Sequence, residues 1–253
     1  MSKYPKADKI RLLSSTKERN MPGTSNFSGF TKETVDFFTQ IKENNNKAWF
    51  DEHKPDYETH VIVPTREFVV GMGEYLEQIS PGIHADPRVN KSIFRIYRDT
   101  RFSKDKTPYK SHLAMWWWEG DAPRMECSGY YFHLEPPNLM LGIGVYMFPK
   151  RVMQTYRDSV VDPIYGAMLK EALNEVSKQE KYSLGGKHYK RVPRGYDPEH
   201  ENAELLLYNG IHVGYETSIP DAFYSIDLVE YCFLVYQDLY PLHKWLVELI
   251  ERA

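Results

Sequence analysis

The chain begins without any apolar pattern. Over residues 1–26, Lys, Arg, Ser, Thr and Pro follow one another with no hydrophobic period, which predicts a flexible tail. The stretch is basic and poor in acids but has no apolar core of the kind a secretory leader carries. It is read as an extension, with an organelle-transit segment as the minor alternative and Met21 available as a second start. Pattern appears at Phe27. Val35, Phe37, Phe38 and Ile41 recur at helical spacing behind Thr31, a suitable N-cap, with Thr34 at the position a capping box gives to Glu. Asn44, Asn45 and Asn46 end that helix, and Asn46 can cap a second one carrying Trp49, Phe50 and Tyr57, broken near Pro55. Pro64 suits the first turn of a third helix bearing Phe68, Val69, Met72 and Leu76, which stops at Ser80-Pro81-Gly82.

After about residue 89 the period shortens. Residues 92–102, 112–118, 129–135 and 139–148 read as antiparallel strands, the last two joined by a turn at Pro136-Pro137-Asn138. Helical spacing returns over 151–178, with Tyr156, Val160, Ile164, Met168, Leu169 and Leu173. Residues 181–200, rich in Gly, Pro and Lys, read as a loop; 210–219 read as a further strand, and 221–253 as a helix interrupted near Pro241. Helices, then strands, then helices predict an α+β fold. Its antiparallel or mixed sheet has about five strands, from residues 90–148 and 210–219, covered by the N- and C-terminal helices. No repeat or linker divides the chain, so residues 27–253 are expected to form a single globular domain.

Composition narrows the functional classes. At 253 residues with 42% apolar positions, the chain can bury a sizeable core. A formal charge of −3 excludes a general polycation and an acidic disordered chain. No apolar run approaches the about 20 residues of a membrane helix, so no membrane partner is expected. Two cysteines, Cys127 and Cys232, do not make a disulfide scaffold, and the cytoplasm is the default compartment. Cys127 lies in a Gly- and Ser-containing turn and could be accessible, although a free cysteine is more often inert.

One segment inverts the charge of the rest. Between residues 88 and 112, Arg88, Lys91, Arg95, Arg98, Arg101, Lys104, Lys106 and Lys110 face only Asp99 and Asp105. On an extended strand, Arg95, Tyr97, Asp99 and Arg101 would share a face, with Asp99 holding the two guanidiniums in place. Planar guanidinium forks suit carboxylate or phosphate oxygens. Lys104, Lys106 and Lys110 on the following loop could close over such a ligand, and Tyr109 could hydrogen-bond or stack. A later basic loop, Lys187, Lys190, Arg191 and Arg194, would complete the pocket if the fold brings it near. The competing reading is a solvated strand face with cross-strand ion pairs.

The string Arg95-x-x-Arg98-Asp99-x-Arg101-Phe102, followed by Asp105-Lys106-x-x-Tyr109, resembles the signature of a conserved hypothetical bacterial family with fungal members, a domain of unknown function. Phe27-x-Gly29-Phe30, Asn44-Asn45, Trp49-Phe50, Tyr130 to Pro136 and Arg194-Gly195-Tyr196-Asp197 are similar to that family too, so the resemblance spans about residues 27–250. It implies no activity, cofactor or catalytic residue, but it raises the weight of the central motif as a site.

Other constellations are weaker. His133 and Glu135 lie two apart on a strand and, with His112, offer three metal donors. Hydrogen-bonded sheet residues are the plainer reading, and no metal is expected. Trp116, Trp117 and Trp118 are consecutive, giving either core on one side of a strand and a helix-covered surface on the other, or a stacking wall beside the arginines. Asp99, Asp105, Glu119, Asp121, Glu126 and Glu135 have no recognisable nuclease spacing. Walker, GxGxxG, HExxH and GxSxG motifs are absent. Three readings follow: a binder of an anionic, phosphate-bearing small molecule; a nucleic-acid binder, which the overall charge opposes; and a structural ion-pair motif whose function runs through a protein partner. Whether catalysis follows binding stays open; Tyr97 or Tyr109 would then be the proton donor.

Overall fold

The computed structural model describes residues 25–253. Most of the expected tail lies outside the described residues, as does Met21; its last two residues, Ser25 and Asn26, are tied to Glu67 by hydrogen bonds of 2.7 and 3.0 Å. Four helical segments open the fold: α1 (Lys32–Glu43), α2 (Lys47–Glu52), α3 (Lys54–Asp56) and α4 (Val63–Leu76). The Thr31 N–H donates to Thr34 Oγ1 at 3.3 Å, and Asn46 Oδ1 accepts from the Trp49 N–H at 3.1 Å, so both expected caps form. Pro64 falls in the first turn of α4, as expected. A wide turn over Tyr57–Ile62 leads from α3 into α4 without a gap. Pro64 lacks the N–H that would reach the His60 carbonyl in a regular ladder, and the Thr34 hydroxyl donates to that carbonyl at 2.6 Å instead.

The sheet has six strands: β1 (Ile83–His84), β2 (Leu113–Glu119), β3 (Ser128–Glu135), β4 (Asn138–Val145), β5 (Tyr182–Lys187) and β6 (Tyr208–Ser218). Their order is β1-β2-β3-β4-β6-β5, all antiparallel. Register sorts the side chains into two faces. Met115, Phe132, Leu141 and Tyr215 form one row, and Trp117, Tyr130, Ile143 and Val213 the next; all are buried. Against this face packs α7 (Asp227–Glu251), which crosses β3 and β4, with α5 (Lys150–Val161) and α6 (Tyr165–Ser177) beside it. The opposite face carries Ala114, His133, Met140 and Glu216 in one row and Trp116, Tyr131, Gly142 and Gly214 in another. Here burial falls: Tyr131, His133, Met140 and Gly214 are half-buried and Glu216 is exposed.

Four expectations are corrected. Residues 92–102 do not form a strand; they make only isolated bridges, Ile93 with Val89 and with Met115, and Tyr97 with Tyr109. Their buried residues Ile93 and Ile96 are three apart, which no strand places on one face. Residues 181–200 are not all loop, because β5 pairs with β6. The 151–178 helix is two helices: Asp162 turns extended before Pro163 (ψ 133°) and its carboxylate caps the N–H groups of Ile164 and Tyr165, both at 2.8 Å. Finally, α7 runs unbroken through Pro241. Pro241 and Gln237 are both exposed, so the carbonyl left without a donor faces solvent.

Candidate functional site

The charged motif is an excursion that leaves the sheet edge and returns to it. Its stem is short: the Arg98 N–H donates to the Pro108 carbonyl at 2.9 Å and the Lys110 N–H to the Ile96 carbonyl at 2.8 Å. Tyr109 anchors the stem. Its ring is buried and stacks on Phe50 at 4.3 Å, and its backbone is gripped by the Asn45 side chain. Asn45 Nδ2 donates to the Tyr109 carbonyl at 2.9 Å and the Tyr109 N–H donates to Asn45 Oδ1 at 3.0 Å. Tyr97 lies over both rings but remains 52% exposed.

The tip folds on itself. Asp99 accepts from Arg101 Nε at 3.0 Å and Nη2 at 2.7 Å, which hold its carboxyl at about 2. It grips Arg101 alone, not the two arginines expected from a shared strand face. Asp105 is also held down at about 2, first by the Thr107 N–H and then by Arg98, which bonds both Asp105 and the Thr107 hydroxyl. Lys106 donates to the Thr100 carbonyl at 2.8 Å. Arg95 and Lys104 are exposed. Arg194 is exposed in the segment that follows β5, the edge strand opposite β1. Four strand spacings separate β5 from β2, about 19 Å, so the two basic loops arise at distant strands.

Of the motif, Arg98, Asp105, Thr107, Tyr109 and Lys110 line one cleft of about 350 Å³, whose wall also includes Lys42, Asn45, Ser111 and His112. Lys110 is half-buried, and its Nζ lies 5.4 Å from the Phe94 ring centroid. Burial, and after it the charges of Arg95 and Arg124, pull its pKa below the usual lysine value. Among the described residues it has no carboxylate partner.

Next to the cleft, the half-buried row of the sheet supplies chemistry. His112, just before β2, stacks on His133 of β3 at 4.3 Å. Glu135 is two residues further along β3. One donor atom from each of the three lies within 4.8 Å of the others. His133 Nδ1 is bonded to the Tyr131 hydroxyl at 3.0 Å, and His133 Nε2 stands 3.6 Å from Glu135 Oε2. Glu135 Oε1 faces Ser111 Oγ at 3.5 Å and Lys42 Nζ at 3.8 Å. Burial lowers both histidines, His112 to about 3, and raises the Tyr131 hydroxyl to about 12. Both imidazoles are therefore neutral at pH 7. The alternating spacing of His133 and Glu135 makes this trio visible in sequence; the ring stacking that brings in His112 is not.

Other readings lose ground. Trp117 is core, its Nε1 donating to the Val69 carbonyl at 3.0 Å; Trp116 is buried with its Nε1 on the Arg124 carbonyl, and Trp118 stacks on His84. No stacking wall results. Cys127 is buried rather than accessible, its thiol donating to the Ala122 carbonyl. The acids scatter: Glu126 lies 3.5 Å from Arg151, while Glu119 pairs with His243. That last pair belongs to a chain sequence reading missed. Ser128 Oγ lies 2.9 Å from His243 Nδ1, and His243 Nε2 lies 2.8 Å from Glu119 Oε2. These are the residue types of an acyl-transfer triad. Ser128 and His243 are both 0% exposed, so no substrate carbonyl can reach the hydroxyl; the network satisfies buried polar groups.

No helix among the described residues is long and apolar enough to cross a membrane. A family model described as conserved hypothetical protein (DUF2461) matches residues 33–245. No curated protein matches the chain.

Proposed function

The chain belongs to the conserved hypothetical protein family DUF2461, whose description names no activity, and from the site alone we propose that it binds an anionic, phosphate-bearing small molecule in the cleft between α1 and the Arg98–His112 segment. The observation that carries this reading is Lys110. A half-buried ammonium beside Arg95 and Arg124, with no carboxylate partner among the described residues, is a place where positive charge is concentrated without compensation. Arg98 and Lys42 face the same cleft, so a bound phosphate would meet three cations. Asp105 would be the group that yields, since Arg98 could exchange it for ligand oxygens. The outer tip serves a different purpose in this reading. Arg101, Asp99 and Lys106 close the loop on itself and leave the ligand contacts to the stem.

Unfolding in the presence of inorganic phosphate, sugar phosphates and mononucleotides, at fixed ionic strength, tests this. At 100 times its dissociation constant a ligand should add about 2.7 kcal/mol, a rise of roughly 5–10 °C for a chain of this size. Lys110→Gln should abolish the rise. Without ligand, this variant should be at least as stable as the wild type, because it relieves the repulsion from Arg95 and Arg124. No rise with any phosphate compound, or an equal rise in folded Lys110→Gln and Arg98→Ala, would overturn the proposal.

A further inference from the structure

The open face of the sheet carries a donor set that anion binding does not use. We propose that His112, His133 and Glu135 form a binding site for a divalent transition-metal ion of the zinc class, with its open coordination positions toward the cleft. Two imidazoles and one carboxylate are the donors that zinc and its first-row neighbours prefer over calcium or magnesium, which take oxygen ligands. Ligands around tetrahedral zinc lie about 3.4 Å apart, given bonds of about 2.0–2.1 Å. His133 Nε2 and Glu135 Oε2 stand 3.6 Å apart, and all three donors fall within 4.8 Å, so side-chain rotation of about an ångström closes the set.

The surroundings orient these donors. With the Tyr131 hydroxyl on His133 Nδ1, the tautomer that donates there leaves the Nε2 lone pair directed at Glu135. Ser111 and Lys42 occupy the Oε1 side of Glu135 and leave Oε2 for the ion. Neither ring nitrogen of His112 has a hydrogen-bond partner among the described residues, although the residue is half-buried. An ion would complete that imidazole. Two neutral imidazoles and one carboxylate leave a divalent ion with a net +1, which favours an anionic or water-derived ligand in the open position.

The test uses the full chain, stripped with a chelator and titrated with Zn²⁺ by calorimetry and with Co²⁺ by visible absorption, in phosphate-free buffer. This separates it from the anion reading, which is tested without metal, so either can fail alone. The expected result is one ion per chain with micromolar or tighter affinity, and Co²⁺ bands of a four- or five-coordinate site. His133→Ala and Glu135→Gln should each weaken binding more than about 100-fold, beyond the 10–100-fold of an outer-shell loss, and Tyr131→Phe about 10-fold. His188→Ala, an exposed histidine on the β5 side, should change nothing. Absence of stoichiometric binding, or binding that Glu135→Gln leaves intact, would overturn the proposal. Glu135→Gln keeps the side-chain shape and so remains informative if His133→Ala does not fold.

Discussion

Asn45 stands between α1 and α2, and its amide closes a two-bond ring on the backbone of Tyr109, 64 positions away. Replacing it with Ala strips partners from one carbonyl and one N–H. A fully buried polar group left unpaired costs about 1–3 kcal/mol. Asn45 is half-buried, so water recovers part of this, and about 2 kcal/mol in total is expected. For a domain of this size that is a fall of roughly 4–8 °C in midpoint. Asn45→Asp keeps the acceptor for the Tyr109 N–H but sets a second carboxylate oxygen against the Tyr109 carbonyl, so it should cost at least as much. Urea unfolding followed by tryptophan fluorescence reads both, with the slope unchanged. An Asn45→Ala loss under about 0.5 kcal/mol, or an Asn45→Asp variant as stable as the wild type, would show that the amide does not clamp the motif.

Two further outcomes follow from the same geometry. Burial pulls the pKa of His243 in the folded state below its ordinary 6.5, against the opposing pull of Glu119. The unfolded chain takes up a proton there more readily than the folded chain, so stability is fully present above pH 6.5 and falls as pH drops below it. His243→Gln should flatten that acid-side slope by up to one proton, about 1.4 kcal/mol per pH unit, measured by urea unfolding between pH 7 and 5. On the sheet, Gly144 has φ +122° and a Cβ there would sit 2.2 Å from the Ile211 carbonyl oxygen. Gly144→Ala should cost more than about 3 kcal/mol or prevent folding. Gly214→Ala, whose Cβ would meet nothing closer than 3.5 Å, should stay within about 1 kcal/mol in a thermal melt.

Much of this was legible in the sequence where one physical rule governs locally. The α1 stripe, the Asn46 cap and the β3–β4 turn depend on spacing and turn chemistry alone, and they form as expected. What was hidden depends on partners distant in the chain. Residues 92–102 look strand-like in composition, yet their irregular path is set by Ile93 and Ile96 entering the core while Tyr97 pairs with Tyr109. The strand β5 was masked by Gly185 and Gly186. Gly186 is needed because any Cβ there would stand 2.0 Å from the Gly210 carbonyl oxygen, at a bulge in the pairing with β6. Pro241 signalled a break, but its exposed side of α7 lets solvent take the orphaned carbonyl. At the site, the motif's charge was visible, but its division into a self-paired tip and a cleft-facing stem was not. That division depends on which acid each arginine reaches.

The position of α7 sets an order of events during synthesis. Strands β2, β3 and β4 are joined by short connections and can pair soon after they emerge. Their neighbour β6 must wait while residues 146–207 are made, and α7, the helix that covers the apolar rows of β3 and β4, follows β6 in the chain. Until it docks, Phe132, Leu141 and Ile143 have no cover from α7, a surface that invites association with other nascent chains or with a chaperone. By then every residue of the cleft and of the His–His–Glu trio has already been synthesised, so that corner of the fold is complete in sequence before the helix that covers the sheet is made.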